Sequence, residues 1–453
     1  MATSTGMPDW RASSKPSVAP SATSSIAATD MSPRLRAALV VLVSLLPRPV
    51  FAQNVPQREV VFTKPQCQPS SKKPADVFCK SIDDWKATFQ ANLPLAHKLE
   101  ELLTDPKAST LNVISFYLKE PFGTVLANAY NIAHPQMLVV SDVDSLKVVE
   151  ETVQKQVSTD DMKADMRFIP TEQAGAEDED LSVHAKVAMI GRAGSPWYSI
   201  VFTSDNFNIS STFASTVTKN ANSANFENYN FITDLATAPI IKAHQCVFDA
   251  IGSLDASKPF SLHDVGVAYE FCVFHRRARA ELSDPVRFYL LPYDVDRALT
   301  DIAYQAGKSE EIDVAGYNAG NPCLATLMKG ALAEGKKIRL ITDDDVCQQL
   351  PPKDKQWYAE LEQSGAKLKF MQTNGDRFSA LSNRFHHKFM VFKQGNTTTV
   401  LSGSANFTCA AFSKNLETSY VLSDKKMTEV YAAAFDDYWE KQARPRNEVE
   451  PCG

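Results

Sequence analysis

Stretches that predict β-strands alternate with stretches that predict helices along most of this chain. In the first part, strands are predicted at residues 111–118, 136–141 and 166–169, and helices at residues 85–103, 124–132 and 145–156. Strands that alternate with helices indicate a mostly parallel sheet covered on both faces. The pattern therefore predicts an α/β fold.

The same order of elements returns in the second part of the chain. Strands are predicted there at residues 286–291, 337–342 and 367–371, and helices at residues 323–334 and 355–364. Both parts continue with similar sequences, VHAKVAMIG and IVFTSDNFN in the first, and FHHKFMVFK and TVLSGSANFT in the second. A repeat this long indicates a duplicated domain rather than a solenoid. The predicted segments are a lead-in at residues 53–107, one half at 108–252, a linker at 253–284 and a second half at 285–453.

The first 52 residues have the pattern of an N-terminal extension with a signal peptide. Arg34 and Arg36 precede a short apolar run, and small residues come just before Gln53. The run is too short to span a bilayer comfortably. We predict a secreted or periplasmic protein, started at Met1 or Met31, and a buried or interfacial segment is the alternative.

The net charge of the chain bears on which binding partners are expected. The chain is 44% hydrophobic and 22% charged, as is usual for a globular protein. The first 52 residues carry a net charge of +3, from five basic and two acidic side chains, which leaves −9 for the rest of a chain whose total is −6. An acidic body does not favour nucleic acid, because non-specific binding to it depends on Lys and Arg. The basic cluster at residues 275–279 is interpreted as a solvated helix end, with contact to phosphate or an anionic surface as the alternative.

All eight cysteines lie after residue 52, and an even number in an exported protein predicts disulfide bonds. The absence of a Cys-x-x-Cys pair excludes zinc ribbons and thioredoxin-like motifs. Cys67 and Cys79 are close enough in sequence for a local disulfide. The remaining connectivity stays open, and buried free thiols are the alternative.

Two histidine–lysine pairs occupy matched positions of the repeat. His184 and Lys186 open an apolar strand in the first half, as His386 and Lys388 do in the second. Residues i and i+2 of a strand point to the same face, so each histidine projects together with its lysine. One such pair carries little information, but two in register predict a single site built from both halves.

Further polar positions follow both pairs in the same order. Each half has a serine and an asparagine two residues apart, and then an Asn-x-Glu sequence that leads into another strand. The candidate residues are Ser204, Asn206 and Glu227 in the first half, and Ser404, Asn406 and Glu417 in the second. Because three signatures recur in the same order, a shared site is favoured over a purely structural explanation.

These residue types suit the displacement of a phosphodiester. Lysines, hydroxyls and carboxamides can hold the negative charge of a pentacoordinate transition state without a metal ion. One histidine can attack phosphorus and form a phosphohistidine, while the other protonates the leaving oxygen and then activates the incoming nucleophile. A glutamate on the far ring nitrogen would fix the tautomer of each histidine, and Glu227 and Glu417 are the candidates.

The duplicated HxK, GSxN and NxE signatures resemble those of the phospholipase D superfamily, over roughly residues 108–445. The resemblance implies two αβαβα sandwich halves related by a pseudo-twofold axis, with mixed, mostly parallel sheets and one cleft between them. It also implies that His184 is the nucleophile, that His386 is the general acid and base, and that no cofactor is needed.

The sequence departs from the family pattern at three positions. The Asp that usually stands five residues after the lysine is replaced by Gly191 and Lys393, and Thr203 replaces the glycine of the first GSxN signature. Tyrosyl-DNA phosphodiesterases, a branch of the superfamily, resemble this chain in lacking that Asp. The departures question close kinship with the bacterial lipases, and a degenerate first half-site would leave a non-catalytic phosphate-binding module.

The substrate is not fixed by these motifs. A phospholipid, cleaved to phosphatidic acid and a free head group, is the first prediction because export and an acidic body favour it. Single-stranded nucleic acid or a 3′-adduct is the second, and transfer to an alcohol is a further alternative. We expect a monomer with transient contact to a membrane surface. The run from Asp343 to Asp345 is interpreted as a solvated turn or helix cap rather than a metal site.

Overall fold

The protein was analysed as a computed structural model, which describes residues 56–65, 82–118, 122–171, 183–207, 225–255, 260–317, 322–349, 352–373 and 384–449. The predicted signal peptide and the Cys67–Cys79 pair lie outside these residues. Within the described ranges, no helix is long and apolar enough to cross a membrane.

The first half is built on a seven-stranded sheet. Its strands are β1 (Gln57–Phe62), β2 (Ala108–Ile114), β3 (Gln136–Asp142), β4 (Met166–Thr171), β5 (Val187–Arg192), β6 (Trp197–Thr203) and β7 (Asn228–Leu235). Its helices are α1 (Ile82–Leu103), α2 (Phe122–Ala133), α3 (Val143–Gln154), α4 (Thr159–Asp165) and α5 (Pro239–Gly252). The strand order is β1-β7-β6-β5-β2-β3-β4.

A helix and a second seven-stranded sheet follow. The helix is α6 (Leu262–Arg276), and the strands are β8 (Val286–Leu291), β9 (Glu311–Gly316), β10 (Lys337–Asp343), β11 (Lys367–Met371), β12 (Lys388–Gln394), β13 (Thr397–Gly403) and β14 (Glu417–Leu422). The remaining α-helices are α7 (Val295–Lys308), α8 (Pro322–Ala333), α9 (Asp345–Gln349), α10 (Pro352–Gln363), α11 (Cys409–Ser413) and α12 (Lys425–Asp437). The strand order, β8-β14-β13-β12-β9-β10-β11, repeats that of the first sheet element for element. The predicted α/β fold of two similar halves is confirmed.

The prediction of mostly parallel sheets is wrong. In each sheet, only the two pairings at one end are parallel, β2-β3-β4 and β9-β10-β11. The other four pairings are antiparallel. The helix-alternating pattern covers only the parallel end, whereas strands joined by short loops, such as β5 and β6, pair antiparallel.

Several elements differ from the sequence prediction. The true counterpart of β2 is β9, which was not predicted because its sequence, EIDVAG, is short and carries two acidic residues. The predicted strand at residues 286–291 is instead the counterpart of β1, which itself comes from the lead-in segment. The predicted linker contains α6, a helix of 15 residues.

The main core lies between the two sheets and contains residues of both halves. Val187, Phe202, Phe389 and Tyr420 belong to it, together with buried residues of α5, α6 and α12. Separate apolar clusters lie under the outer helices of each half. The two halves therefore share one interior, and a disulfide between Cys246 of α5 and Cys272 of α6 fixes two helices that pack on it.

Candidate active site

The two predicted half-sites meet where strands β5 and β12 begin. Isolated parallel bridges join the halves here, Val183 to Leu416 and Phe226 to Phe385. The His184 amide donates to the Leu416 carbonyl at 2.9 Å, and the His386 amide donates to the Phe226 carbonyl at 3.2 Å. Each bridge sets a histidine of one half beside the glutamate of the other.

The histidines and glutamates pair crosswise between the halves. His184 Nδ1 lies 2.8 Å from Glu417 Oε1, and His386 Nδ1 lies 2.6 Å from Glu227 Oε1. Both glutamates are completely buried. An ionised carboxylate only accepts hydrogen bonds, so Nδ1 carries the proton and Nε2 keeps its lone pair when the glutamate is ionised.

The serine hydroxyls, which were expected to bind phosphate, donate hydrogen bonds to the glutamates. Ser204 Oγ donates to Glu227 Oε2 and Ser404 Oγ donates to Glu417 Oε2, both at 2.6 Å. Each hydroxyl also accepts from a backbone amide, that of Asn228 or Thr418. Since a hydroxyl has only one proton to donate, the serines support the glutamates in this structure, and their role as phosphate ligands stays a prediction.

The lysines lie close to the backbone of their own histidines. Lys186 Nζ donates to the His184 carbonyl at 2.6 Å, and Lys388 Nζ donates to the His386 carbonyl at 2.9 Å. Lys388 Nζ also lies 3.0 Å from His386 Nε2 and 3.3 Å from the Ser204 carbonyl oxygen. Burial lowers the pKa of Lys186 to about 7 and that of Lys388 to about 8, although the nearby glutamates raise both.

The two predicted asparagines are half-buried at the end of β6 and β13. The side-chain oxygens of Asn206 and Asn406 are buried and have no hydrogen-bond partner among the described residues. They differ in this from the serines, whose hydroxyls are fully engaged. The carboxamides are therefore available to a ligand.

The two carboxylates differ in their electrostatics. Burial alone would raise the pKa of Glu417, but the charge and hydrogen bond of His184, with Lys186, hold it below the ordinary value. Burial raises the pKa of Glu227 to about 7, against the lowering effects of Lys388 and the Ser204 hydroxyl. At neutral pH the Glu417 side is ionised, whereas the Glu227 side still retains a proton part of the time.

Burial favours the neutral form of both histidines. Burial lowers the pKa of His184, with a further decrease from Lys186 that Glu417 opposes. Burial, followed by Lys388 and Lys186, holds the pKa of His386 well below its usual range. The imidazoles are also the exposed part of the site, with 15% and 17% of their side chains accessible, while the lysines, glutamates and serines are buried. A ligand therefore meets the histidine rings first.

Aromatic rings that the sequence analysis did not identify lie beside both histidines. The ring centroids of Phe116 and His184 are 5.4 Å apart, as are those of Tyr317 and His386. Arg384 lies over the Tyr317 ring at 5.5 Å. Phe116 and Tyr317 are matched positions of the two halves. Phe116 comes two residues after Ile114, which pairs with Val187. Tyr317 comes two residues after Ala315, which pairs with Phe389. In the sequence, both could have been identified as the first aromatic residue after β2 or β9, the strands that pair with the strands that follow the HxK motifs.

The acidic run after β10 is buried rather than solvated. Asp343 Oδ2 accepts from the Phe385 amide at 2.5 Å and from the Thr373 hydroxyl at 2.9 Å. Asp344 accepts from the Thr373 amide at 2.9 Å. The interpretation as a solvated turn is wrong for Asp343 and Asp344, because Asp343 holds the Phe385 amide next to His386 and both carboxylates hold Thr373.

The position of the missing motif Asp is distant from the histidines. Lys393 lies five residues along β12 from Lys388, which is about 16 Å. Its ammonium pairs with buried Asp313 at 2.6 Å. In the first half a Cβ on Gly191 would come within 2.6 Å of Thr110 and Tyr198 atoms, so no carboxylate fits. The replaced Asp thus belongs to the sheet rather than to the reacting centre.

Only the second half sterically requires a glycine at the first position of the GSxN signature. Gly403 has φ +148, and a Cβ there would lie 2.1 Å from the Thr418 carbonyl oxygen. Its counterpart, Thr203, has no positive φ among the described residues and fits a side chain. Thr203 therefore does not make the first half-site degenerate.

Comparisons with known proteins agree with this geometry. A family model described as "Cardiolipin synthase, PLD-like domain" matches residues 303–439. The mitochondrial cardiolipin hydrolase of Xenopus laevis is 26% identical over 156 residues, which are 33% of this chain and 65% of that protein. The chain thus spans just under two thirds of the length of this relative.

Two solved structures show the same fold over most of the chain. The phosphatidylserine synthase of Haemophilus influenzae has a TM-score of 0.52 and 11% identity, covering 78% of this chain and 85% of its own. The polyphosphate kinase of Porphyromonas gingivalis has a TM-score of 0.50 and 12% identity, covering 86% of this chain and 51% of its own. The family model and the mitochondrial relative support the predicted resemblance to the phospholipase D superfamily, and the two solved structures show the same fold.

Proposed function

We propose that this protein hydrolyses a phospholipid without a metal ion, through a phosphohistidine on His184, and releases phosphatidic acid and a free head group. Members of the superfamily act on phosphodiesters, and the proposal specifies the substrate and the mechanism. The observation that carries it is the crosswise pairing of His184 with Glu417 and of His386 with Glu227. This pairing leaves two Nε2 atoms for the reaction.

The first step transfers the phosphatidyl group to the protein. The lone pair of His184 Nε2 attacks phosphorus while the bond from phosphorus to the head-group oxygen breaks. The leaving oxygen takes a proton from His386 Nε2, which supplies the neutral alcohol.

The second step releases the phosphatidyl group. His386 Nε2 takes a proton from water as the water oxygen bonds to phosphorus, and the bond between phosphorus and His184 breaks. Phosphatidic acid leaves and His386 is protonated again. An alcohol in place of water would give transfer rather than hydrolysis.

Electrostatics support this division of roles. Ionised Glu417 makes His184 the better electron donor, while Glu227, with a pKa of about 7, lets the His386 pair hold a proton near neutral pH. A bound phosphodiester anion offsets Lys186 and Lys388, whose charges lower the pKa of His386 in the free protein. Substrate binding therefore favours the protonated form of His386, which is the general acid.

The proposal is tested with protein purified without residues 1–52 and assayed in the presence of a chelator. The substrates are phosphatidylcholine in mixed micelles and a labelled single-stranded oligonucleotide. We expect choline release that is unaffected by the chelator and is lost by several orders of magnitude in His184→Ala. His97→Ala is the matched control, because His97 is exposed on α1. Retained activity in His184→Ala, or a large loss with chelator, would refute the mechanism.

The intermediate gives a second test. Rapid acid-free denaturation during turnover of a phosphorus-labelled substrate should trap label on His184. With a labelled p-nitrophenyl phosphodiester, whose leaving group needs no proton, His386→Ala should accumulate this label because the second step lacks its base. Label on His386 alone would reverse the assigned roles.

Nucleic acid is a second candidate substrate because of one observation. Phe116 and Tyr317 lie beside the histidines and Arg384 covers Tyr317. Rings and guanidinium groups of this kind stack on the bases of single strands. Cleavage of the oligonucleotide without choline release would establish this alternative, and silence on both substrates would favour a non-catalytic phosphate-binding module.

A further inference from the structure

Helix α6 is apolar on two opposite faces. Its buried face contains Val265, Tyr269 and Val273, which pack into the core between the sheets. On the other side, Val267, Phe271 and Phe274 are 59%, 66% and 75% exposed. The spacing of four and three residues sets these three side chains in one stripe. A soluble helix normally has a single apolar stripe, so the second one needs a partner.

The end of this stripe is basic. Arg277 follows Phe274 at the C-terminus of α6, is exposed, and has no carboxylate within ion-pair distance in the part of the chain that the structure describes. The neighbouring arginines are already neutralised, Arg276 by Asp249 and Arg279 by Glu270. Arg277 is thus the cation that this surface presents to an external anion.

We propose that the outer face of α6, formed by Val267, Phe271, Phe274 and Arg277, docks on an anionic phospholipid surface. Aromatic and aliphatic side chains enter the boundary between head groups and acyl chains, and a flanking arginine contacts lipid phosphates. This inference rests on the proposed function, since a lipid-cleaving enzyme must reach its substrate in a membrane.

A second copy of the chain fits this face less well. With side-chain areas of about 150–250 Å² for an aromatic residue, the three exposed apolar residues present roughly 350 Å². A stable dimer needs about 800 Å² from each partner. A membrane has no such minimum, because partition grows with each apolar group that enters it.

The helix is also held in place. The disulfide between Cys246 and Cys272 ties α6 to α5 next to Phe271. Tyr269 donates to buried Asp294 at 2.8 Å from the opposite face. The stripe is therefore presented on a fixed support rather than on a loop, which lowers the entropy lost on docking.

Binding is measured by co-sedimentation with vesicles, using His184→Ala protein so that no lipid is consumed. The vesicles consist of phosphatidylcholine alone or of phosphatidylcholine mixed with phosphatidylglycerol. Phe271→Ser with Phe274→Ser should lower binding to both by at least about tenfold. Arg277→Gln should lower binding about fivefold on the mixed vesicles only, and high salt should remove this difference.

The matched control replaces two equally exposed apolar residues elsewhere. Ile132→Ser with Val148→Ser alters side chains that are 52% and 47% exposed on α2 and α3, and it should leave vesicle binding unchanged. An equal loss in this control, or no loss with the Phe271 and Phe274 substitutions, would overturn the proposal. Light scattering that shows a dimer broken by those substitutions would assign the face to a second copy instead.

The two proposals can fail separately. Turnover of a short-chain, monomeric phosphatidylcholine should be unaffected by the Phe271 and Phe274 substitutions, whereas turnover of vesicles should fall. If the protein binds vesicles but cleaves neither the monomeric nor the vesicular phospholipid, the proposed function fails and the docking surface stands. If both forms are cleaved equally well by wild type and variant, the docking surface fails and the function stands.

Discussion

Replacement of Glu417 by glutamine tests the crosswise pairing most directly. The substitution keeps the size of a fully buried side chain but removes its charge. Glu417 accepts from His184 through one oxygen and from Ser404 through the other. Glutamine has only one oxygen, so its NH2 group must face one of these partners. If it faces His184, the proton moves to Nε2 and the nucleophilic lone pair is lost.

The expected loss follows from these contacts. A hydrogen bond to a buried charged group contributes about 1.5–3 kcal/mol, or about 10- to 150-fold in rate. A wrong tautomer in a catalytic triad costs about 10⁴-fold. We therefore expect Glu417→Gln to lower kcat between about 10²- and 10⁴-fold with little change in thermal stability.

The assay compares Glu417→Gln with Glu227→Gln on a p-nitrophenyl phosphodiester. p-Nitrophenol leaves readily without a proton, so formation of the phosphohistidine needs the nucleophile but not the general acid. Glu227→Gln should keep a rapid burst of p-nitrophenol followed by slow turnover, and Glu417→Gln should lose the burst. The reasoning is refuted if the two variants give equal bursts, or if Glu417→Gln stays within about threefold of wild type.

Three further predictions concern stability. Ser404→Ala should lower the free energy of unfolding by about 2–4 kcal/mol, measured in urea, because it removes a bond to a buried carboxylate and leaves the Thr418 amide unpaired; an unchanged stability with a raised KM would restore Ser404 as a phosphate ligand. Gly403→Ala should unfold at lower temperature or fail to fold, since its Cβ meets the Thr418 carbonyl, while Thr203→Ala should be milder; equal melting temperatures would contradict this. The raised pKa of Glu227, about 7, contributes stability that is fully present below about pH 4.5 and is lost as pH rises through 7. Urea titrations at pH 5 and pH 8 should therefore show a loss of up to roughly 3 kcal/mol that is smaller in Glu227→Gln, and an identical loss in both proteins would argue against it.

The sequence predicted which residues come together, because the repeat carries them in register. His184, Lys186, His386, Lys388 and the two glutamates are matched positions at strand ends, and the structure brings them to one site. What it did not predict is which glutamate serves which histidine. That choice depends on two bridges between segments more than 150 residues apart, which no local pattern records.

The remaining differences also depend on contacts that the sequence pattern does not show. Strand β9 was missed since Glu311 and Asp313 interrupt its apolar pattern, yet Asp313 is buried because Arg339 and Lys393 neutralise it. Ser204 and Ser404 were expected to bind phosphate because a hydroxyl has the right chemistry. Their hydrogen bonds to the glutamates were not predicted, because they depend on the adjacency of the strands.

The crosswise pairing also has a consequence for synthesis of the protein. The first half leaves the ribosome with His184 but without Glu417, and His386 follows after the linker. His184 acquires its carboxylate only when the last strand, β14, has docked, whereas His386 meets a glutamate that is already synthesised. We therefore expect the two crosswise pairs to be complete only after the whole chain has folded. Co-expression of the two halves as separate polypeptides should, by the same logic, restore both histidines at once or neither.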